Sequence, residues 1–402
     1  MVNLKHTEKP IRLTISKTLE KKIRNGYPWV FEYQLLNKPK PNAPTGLGVI
    51  YDSENRFLAL GLYDPDSPIS LRILQTRKPI AINSEFFRNR LEKAWKARKI
   101  LEKQSTNGFR IVNGENDRLP GLIIDRYNDT LSMKVYSAAW FPFLSELRRH
   151  LDFGGRIKRC VLRLSRNVTS NRIHEGMLLF GRPISKPIIF RENGLFFQTD
   201  VLKAQKTGFY FDQRENRQRI RNLARNKNIL NVFSYTGAFS IYAFAGGCRS
   251  VLEIESNPHA LKAARTNIEL NFPDVISNAK KFKQLRGNAF ELLDQLAIKK
   301  IKFDLVILDP PALAREKKHK PQALNAYSQL AKASSKLIVP GGTLLAASCS
   351  RPIKGNEFCG AIHRGITAAK RVGKEFMRTG HGLDHPVGFE GGSYLKAVFW
   401  NL

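Results

Sequence analysis

NILNVFSYTGAFSIYAFAGG, residues 228–247, is the stretch on which the fold turns. NILNVF is a short apolar run of strand character that gives way to a loop, and AFSIYAFAG is a helical run stopped by the glycine pair Gly246 and Gly247. Between them, NVFSYTGAFS (231–240) places Phe233, Ser234 and a single turn glycine, Gly237, at a strand-to-helix junction. A dinucleotide fingerprint carries three glycines there, so that the backbone can approach a pyrophosphate closely. One glycine argues against pyrophosphate and for a smaller cofactor without phosphates. Read alone, an ordinary strand-to-helix turn accounts for the segment equally well.

The same rhythm continues downstream. SVLEIE reads as a strand, NPHALKAARTNIELN as a helix with Asn257 as N-cap and Pro258 at its first position, FDLVILDPP as a buried strand and GGTLLAASC as another. Strands alternating with helices predict an α/β domain with a mainly parallel sheet covered on both faces, and ligands in such sheets bind beyond the carboxyl ends of the strands. Three polar residues fall at those ends. Glu255 can accept hydrogen bonds from both hydroxyls of a ribose, or can simply begin a helix as a surface acid. Asn288, in RGNAFELL, can bond an adenine edge, although a plain turn asparagine is the simpler reading. Asp309, in LDPPAL, is presented rigidly because two prolines fix the backbone behind it, and it can serve cofactor, substrate or both; a structural turn is the alternative. A single-glycine turn, an acid, an amide and Asp-Pro-Pro, in that order, is the layout of an S-adenosylmethionine fold. Cys349 ends the next strand, in AASCSRP, and is therefore expected on the same rim as Asp309.

Upstream, GVIYDSENRFLALGLYD reads as a hairpin within a small β-rich domain at residues 1–80. SEFFRNRLEKAWKARKILEK follows as a helix with Phe87, Leu91, Trp95 and Ile100 at helical spacing, and FRIVNGENDRLPGLIIDRYNDTLSMKVYS supplies strands around an Asn-Asp turn. These belong to a small central α+β domain, residues 81–190; the parallel-sheet domain takes 191–402.

The chain has 402 residues, 42 % of them hydrophobic, which is enough for true cores. It carries 67 Lys and Arg against 34 Asp and Glu, a net charge of +33 spread along its length. That excess favours a polyanion and points to nucleic acid ahead of a generally solvated basic surface. No basic amphipathic anchor and no long uninterrupted apolar run stands out, so no membrane partner is expected. The first residues, MVNLKHTEKPIRLTISK, lack the apolar core of a signal peptide. Four cysteines, Cys160, Cys248, Cys349 and Cys359, without paired spacing, argue for a reducing, cytoplasmic setting and against a disulfide framework or a metal site.

Several segments resemble one family in order along nearly the whole chain: the bacterial 23S ribosomal RNA large-subunit (cytosine-C5) methyltransferases with an N-terminal PUA domain. NGYPWVFEYQL resembles the PUA opening. VNGENDRLPGLIIDRY resembles the central domain, with Arg118 where a glycine is usual. DVLKAQKTGFYFDQRENR (200–217) resembles the lead-in to the catalytic domain, and FSYTGAFS, DPP, SCS and DHPV…YLKA follow. The resemblance implies a PUA domain, a central α+β domain and a class I (Rossmann-like) methyltransferase domain. It implies S-adenosylmethionine as methyl donor, 23S ribosomal RNA as partner, and Cys349 as nucleophile. On the family's pattern Gln213 and Arg214 approach the cofactor, with Phe233, Ser234, Gly237, Glu255, Asn288 and Asp309. Asn288 stands where the fold often has an acid, and the segment between DHPV and YLKA is short.

The chemistry explains the residue types. Cytosine C5 is a poor nucleophile until a thiolate adds to C6, and cysteine suits this because its unperturbed pKa is about 8.5. Asp309 is expected to bond the base near N3 and its amino group. Asp-Pro-Pro also occurs in enzymes that methylate exocyclic amines, where an aromatic residue follows; here Ala312 and Leu313 follow. Methylation of another RNA base or of transfer RNA, and a non-catalytic RNA-binding ribosome assembly factor, are the competing readings. A dimer stays open. Cys359 reads as packing, His385 as a structural hydrogen-bonder, and REKKHK (315–320) as a basic loop.

Overall fold

The computed structural model describes residues 9–37, 43–202 and 208–402. Residues 203–207 of the lead-in motif and residues 1–8 of the signal-peptide reading lie outside that description. The chain divides into two units, one comprising Met1–Gly194, Thr199–Phe211 and Leu383–Gly392, the other Leu195–Gln198, Asp212–Gly382 and Ser393–Leu402.

The first unit holds two five-stranded sheets. Strands β1 (Ile11–Leu13), β2 (Trp29–Val30), β3 (Gly46–Tyr51), β4 (Phe57–Tyr63) and β5 (Leu71–Thr76) pair in the order β1-β3-β4-β5-β2. The hairpin read from the sequence is β3 and β4, joined antiparallel around Asn55, whose φ of 61° relieves the turn. Helix α1 (Lys17–Arg24) is capped by Ser16 and buries Leu19 and Ile23 beneath this sheet. The second sheet runs β10-β9-β8-β7-β6, from β6 (Gly108–Asn113), β7 (Leu122–Tyr127), β8 (Thr130–Val135), β9 (Arg159–Leu164) and β10 (Leu178–Phe180).

Helix α2 (Ser84–Lys103) packs on the second sheet through Phe87, Leu91, Ala94, Trp95 and Leu101. Ile100, expected on the apolar face, is exposed, and Arg98 is buried in its stead. The reason is charge pairing. Both terminal nitrogens of Arg98 donate to the Asp117 carboxylate at 2.7 Å, so the guanidinium enters the core as a paired charge. Asp117 closes a short turn whose next residue, Arg118, has φ 59°. A left-handed backbone favours glycine at that position, which is the physical meaning of the departure seen in the sequence. The segment 383–392 belongs to this unit. Asp384 accepts from Arg110 N at 3.0 Å and pairs with His385 Nδ1 at 3.0 Å, and both side chains are buried. His385 is thus a structural hydrogen-bonder. Helix α3 (Leu144–Arg148) and strands β11 (Ile188–Glu192) and β12 (Leu195–Thr199) complete the chain up to residue 199.

The second unit is a seven-stranded sheet. Its strands are β13 (Asn228–Val232), β14 (Ser250–Glu255), β15 (Phe282–Arg286), β16 (Phe303–Leu308), β17 (Ile338–Ser348), β18 (Lys374–Thr379) and β19 (Lys396–Asn401), ordered β15-β14-β13-β16-β17-β19-β18. The first five are mutually parallel and β19 runs antiparallel between β17 and β18. The helices are α4 (Arg214–Leu223), α5 (Ala238–Ala245), α6 (Pro258–Glu269), α7 (Pro273–Ile276), α8 (Ala289–Ile298), α9 (Lys320–Ser335) and α10 (Gly355–Ala368). The near-continuous apolar runs of β13, β16 and β17 follow from burial on both faces, where Leu230, Val306 and Leu344 are fully covered. Strand order reverses at β13, between β14 and β16, so loops after β13 and β16 open to opposite sides and leave a crevice at the carboxyl edge.

Candidate active site

The turn after β13 carries unusual backbone. Phe233, Tyr235 and Gly237 have φ of 62°, 49° and 77°. Two of these are not glycine, and such residues cost about 1–3 kcal/mol each unless their surroundings hold them. Tyr235 N donates to Glu255 Oε2 at 3.0 Å, and Asn257 N donates to Glu255 Oε1 at 2.9 Å. The Glu255 carboxylate thereby stitches the turn after β13 to the turn after β14. Gly237 is required by packing: a Cβ there would lie 2.9 Å from Ala264 Cβ of α6 and 3.0 Å from Glu253 Oε1.

A cavity of about 180 Å³ opens beside this turn, lined by Phe233, Ile254, Glu255, Ser256, Gly287, Asn288, Ala289 and Phe290. Asn288 caps α8, its Oδ1 accepting from Phe290 N at 2.9 Å, so the simpler turn reading holds while the residue also lines the cavity. Ser234 Oγ is buried with no hydrogen-bond partner among the described residues, an arrangement that costs free energy until a polar ligand arrives. The cavity's apolar walls, carboxylate and amide fit the base and sugar of S-adenosylmethionine. Beneath the turn lies a buried polar network. Ser240 Oγ donates to Glu253 Oε1 at 2.6 Å and Gln284 Nε2 donates to Oε2 at 2.9 Å. Burial pushes the Glu253 carboxyl up to about 7, against the pull of those two bonds.

A second cluster gathers around the ends of β16 and β17. Asp309 Oδ1 accepts from Gln213 Nε2 at 2.9 Å, Gln213 Oε1 accepts from Asn216 Nδ2 at 2.7 Å, and Asn216 Oδ1 accepts from Thr379 Oγ1 at 2.7 Å. Gln213 therefore orients the aspartate. Arg214, next in the chain, is almost wholly buried at the start of α4.

Cys349 follows the last residue of β17. Alternation along the extended chain turns Ser348 and Ser350 inward, both fully buried, and leaves Cys349 half-buried between them. Tyr327 OH donates to Ser348 Oγ at 2.9 Å and lies 3.1 Å from Ser350 Oγ, while Ala314 N donates to Ser350 Oγ at 3.1 Å. One serine hydroxyl thus joins the loop after Asp-Pro-Pro to the cysteine loop. Burial pushes the Tyr327 phenol up to about 12; the Ser348 and Ser350 bonds oppose this, and nearby negative charge on Cys349 and Asp309 adds to it.

Lys396, at the start of β19, pairs in register with Ser348 and donates to Ser350 O at 2.6 Å and Ile353 O at 2.8 Å. Burial lowers its ammonium to about 8, and the Cys349 and Glu357 charges oppose that. Sequence reading missed Tyr327, Ser350 and Lys396. Ser350 stood in the quoted SCS and Lys396 in the quoted YLKA, each without a role, and Tyr327 stood in no quoted segment. By contrast Cys160 and Cys359 are buried, Cys160 wholly so, and burial pushes the Cys248 thiol up to about 12. Among the described residues no group of three or more His, Cys, Asp or Glu is placed to hold a metal ion. No helix among them is long and apolar enough to cross a membrane.

Mostly parallel strands in this order, a strained one-glycine turn and an acid closing it define a class I, Rossmann-like methyltransferase, here preceded by an N-terminal PUA-like domain. A family described as S-adenosylmethionine-dependent methyltransferase matches residues 170–369, and one described as PUA-like domain matches residues 13–76. Over 98 % of its length the chain is 39 % identical to a ribosomal RNA large subunit methyltransferase of Deinococcus radiodurans, covering 97 % of that protein. It is 32 % identical to ribosomal RNA large subunit methyltransferase I of Pseudoalteromonas translucida, covering 94 % of this chain and 96 % of that protein. Two solved structures share the fold. One, described as a SAM-dependent methyltransferase from Streptococcus mutans, is 19 % identical with a TM-score of 0.82, covering 98 % of this chain and all of that one. The other, a methyltransferase complexed with SAH, is 20 % identical with a TM-score of 0.83 over 98 % of this chain and 100 % of that one. The chain belongs to the family of PUA-containing, S-adenosylmethionine-dependent ribosomal RNA large-subunit methyltransferases.

Proposed function

We propose that this methyltransferase acts on large-subunit ribosomal RNA and forms 5-methylcytosine in 23S RNA through a covalent adduct between Cys349 and C6 of the base. The observation that carries this reading is the cysteine's setting. Its neighbours Ser348 and Ser350 are locked inward by Tyr327, so the sulfur is the group left toward the rim that Asp309 shares.

Bound S-adenosylmethionine supplies an electrophilic methyl group on sulfonium. Glu255 would hold its ribose hydroxyls, Phe233 and Asn288 would border its base, and Ser234 Oγ would gain a partner. Gln213 and Arg214 stand behind Asp309 and α4, in support of the site. The Cys349 thiolate adds to C6; the ring electrons move to C5, which takes the methyl group. A base then removes the C5 proton, the C5–C6 double bond re-forms and the sulfur departs with its electron pair. Asp309, held by Gln213, bonds the base near N3 and the amino group and stabilises the adduct. The target nucleotide must leave its stack to enter. The PUA-like segment and the charge of +33 hold the RNA backbone.

We further propose three domains, 1–80, 81–190 and 191–402, on the grounds that each of the first two has its own five-stranded sheet. A cytoplasmic setting, where ribosomal RNA is assembled, accords with this reading. Bisulfite sequencing of 23S RNA from cells with and without the protein tests the function. One protein-dependent protected cytosine is expected; identical cytosine reads throughout would overturn the 5-methylcytosine assignment.

A further inference from the structure

We propose that Lys396 is the positioning residue of the nucleophile: it fixes the loop that carries Cys349 and supplies the positive charge that keeps its sulfur as a thiolate. This rests on the reading of Cys349 as the attacking group and goes beyond it, since Lys396 reaches the cysteine loop from a different strand.

Three observations converge. The first is register: β17 and β19 are antiparallel neighbours, and Lys396 stands opposite Ser348, the residue before the cysteine. The second is hydrogen bonding. The Lys396 amine donates to the carbonyls of Ser350 and Ile353, which brackets the loop immediately after Cys349. Ile353 N also donates to the Ser350 carbonyl at 3.2 Å, so the lysine reinforces a turn that begins where the ladder stops at Ser348. The third is electrostatic. The Lys396 side chain is largely removed from water, and the negative charge of Cys349 is one of two that favour its charged form. That interaction is mutual: the cation that the thiolate stabilises also stabilises the thiolate.

Charged and titratable groups near this pair come from several elements, and Arg351 and Lys354 lie on the cysteine's own loop. Asp309, after β16, and Tyr327, from α9, lie on the sulfur's side. Glu357, from α10, faces the lysine but is also bonded to Lys320 of α9. The two acids, Asp309 and Glu357, would raise the cost of a thiolate; Lys396 is a cation whose interaction with Cys349 opposes them. An arginine would keep the charge but not the compact three-donor geometry that reaches two closely spaced carbonyls.

The step assigned to the pair is a proton balance only. Below its titration the sulfur carries a proton; above it the proton is released to solvent and the sulfur's electron pair is held by the ammonium. Because the two groups interact, the observed midpoint belongs to the pair.

The test measures the thiol, not methyl transfer. The full-length protein, Lys396→Met and Lys396→Arg are alkylated with iodoacetamide from pH 5.5 to 9.5, and modification of Cys349 is followed by peptide mass mapping. Circular dichroism and thermal melting establish that each variant is folded. Lys396→Met is expected to move the Cys349 midpoint up by about one pH unit, and Lys396→Arg by much less. An unchanged midpoint in folded Lys396→Met overturns the proposal. If Lys396→Met does not fold, Lys396→Arg and Lys396→Gln carry the test: equal midpoints in both overturn it. The function has a separate readout. Should Cys349→Ala still transfer methyl groups to ribosomal RNA, the nucleophile assignment fails even where the midpoint shift is found.

Discussion

The turn after β13 and the turn after β17 lie at the same edge of one sheet and are built on opposite plans. The first carries backbone strain: Phe233 and Tyr235 sit at positive φ, Glu255 ties the turn down, and Ser234 Oγ has no partner among the described residues. The second is held by saturation: the hydroxyls of Ser348 and Ser350 are bonded to Tyr327 and the backbone, and a lysine spans two carbonyls. The turn proposed for the cofactor keeps an unpaired buried hydroxyl among the described residues, whereas the turn proposed for the nucleophile is bonded by the protein's own groups. A dissociable group can supply missing hydrogen bonds and be exchanged after each turnover; a reacting sulfur must already be in place.

The largest effect that would separate the two plans is expected from Cys349→Ala. Methyl transfer to ribosomal RNA should fall by roughly 10⁴-fold or more, while S-adenosylmethionine affinity by calorimetry stays unchanged. Loss of cofactor binding in that variant would break the division of labour. Asp309→Asn should reduce single-turnover transfer by roughly 10²–10³-fold, because the group that stabilises the adduct loses its charge.

Serine-to-alanine changes should then act with opposite sign at the two turns. Ser350→Ala removes the acceptor of Ala314 N and should destabilise the protein by about 1–3 kcal/mol in urea unfolding. Ser234→Ala removes an orphaned hydroxyl and should leave the cofactor-free protein as stable or slightly more so, while weakening the cofactor severalfold. Equal destabilisation by both would show that the contrast is not real.

The smallest effect concerns the support beneath the cofactor's turn. Glu253 has its carboxyl raised from the usual 4.5 to about 7 by burial, so the folded state binds a proton that the unfolded state has released between those values. Its stabilising contribution is complete below about 4.5 and declines as pH rises through about 7. Thermal melts from pH 5 to 8 should show a fall that Glu253→Gln flattens, on the order of 1–3 kcal/mol. A Gln variant with the wild-type slope would remove Glu253 as its source.

These contrasts also mark how far the sequence could be read. The parallel-sheet architecture was legible because burial on both faces writes long apolar runs, as in FDLVIL and GGTLLAAS, and because Asn257 and Pro258 announce a helix start. Glu255, Asp309 and Cys349 could be singled out as candidates because strand ends gather side chains at one rim. What could not be read was lateral: Tyr327 lies mid-helix, Lys396 begins a strand far along the chain, and no local pattern tells that both converge on residues 348–353. The misplacement of Ile100 has the same origin. A buried Arg98 is explained only by its carboxylate partner at Asp117, which periodicity does not see.

The route of the chain has a consequence of another kind. One unit takes its residues from three stretches reaching as late as Gly392, and the other begins at Leu195. A single cut anywhere between those two points therefore deprives one unit of part of its own chain. Recombination that swaps the leading half of such a gene for a foreign one would strand Asp384 and His385 on the wrong partner, so the two units must be inherited, expressed and engineered together.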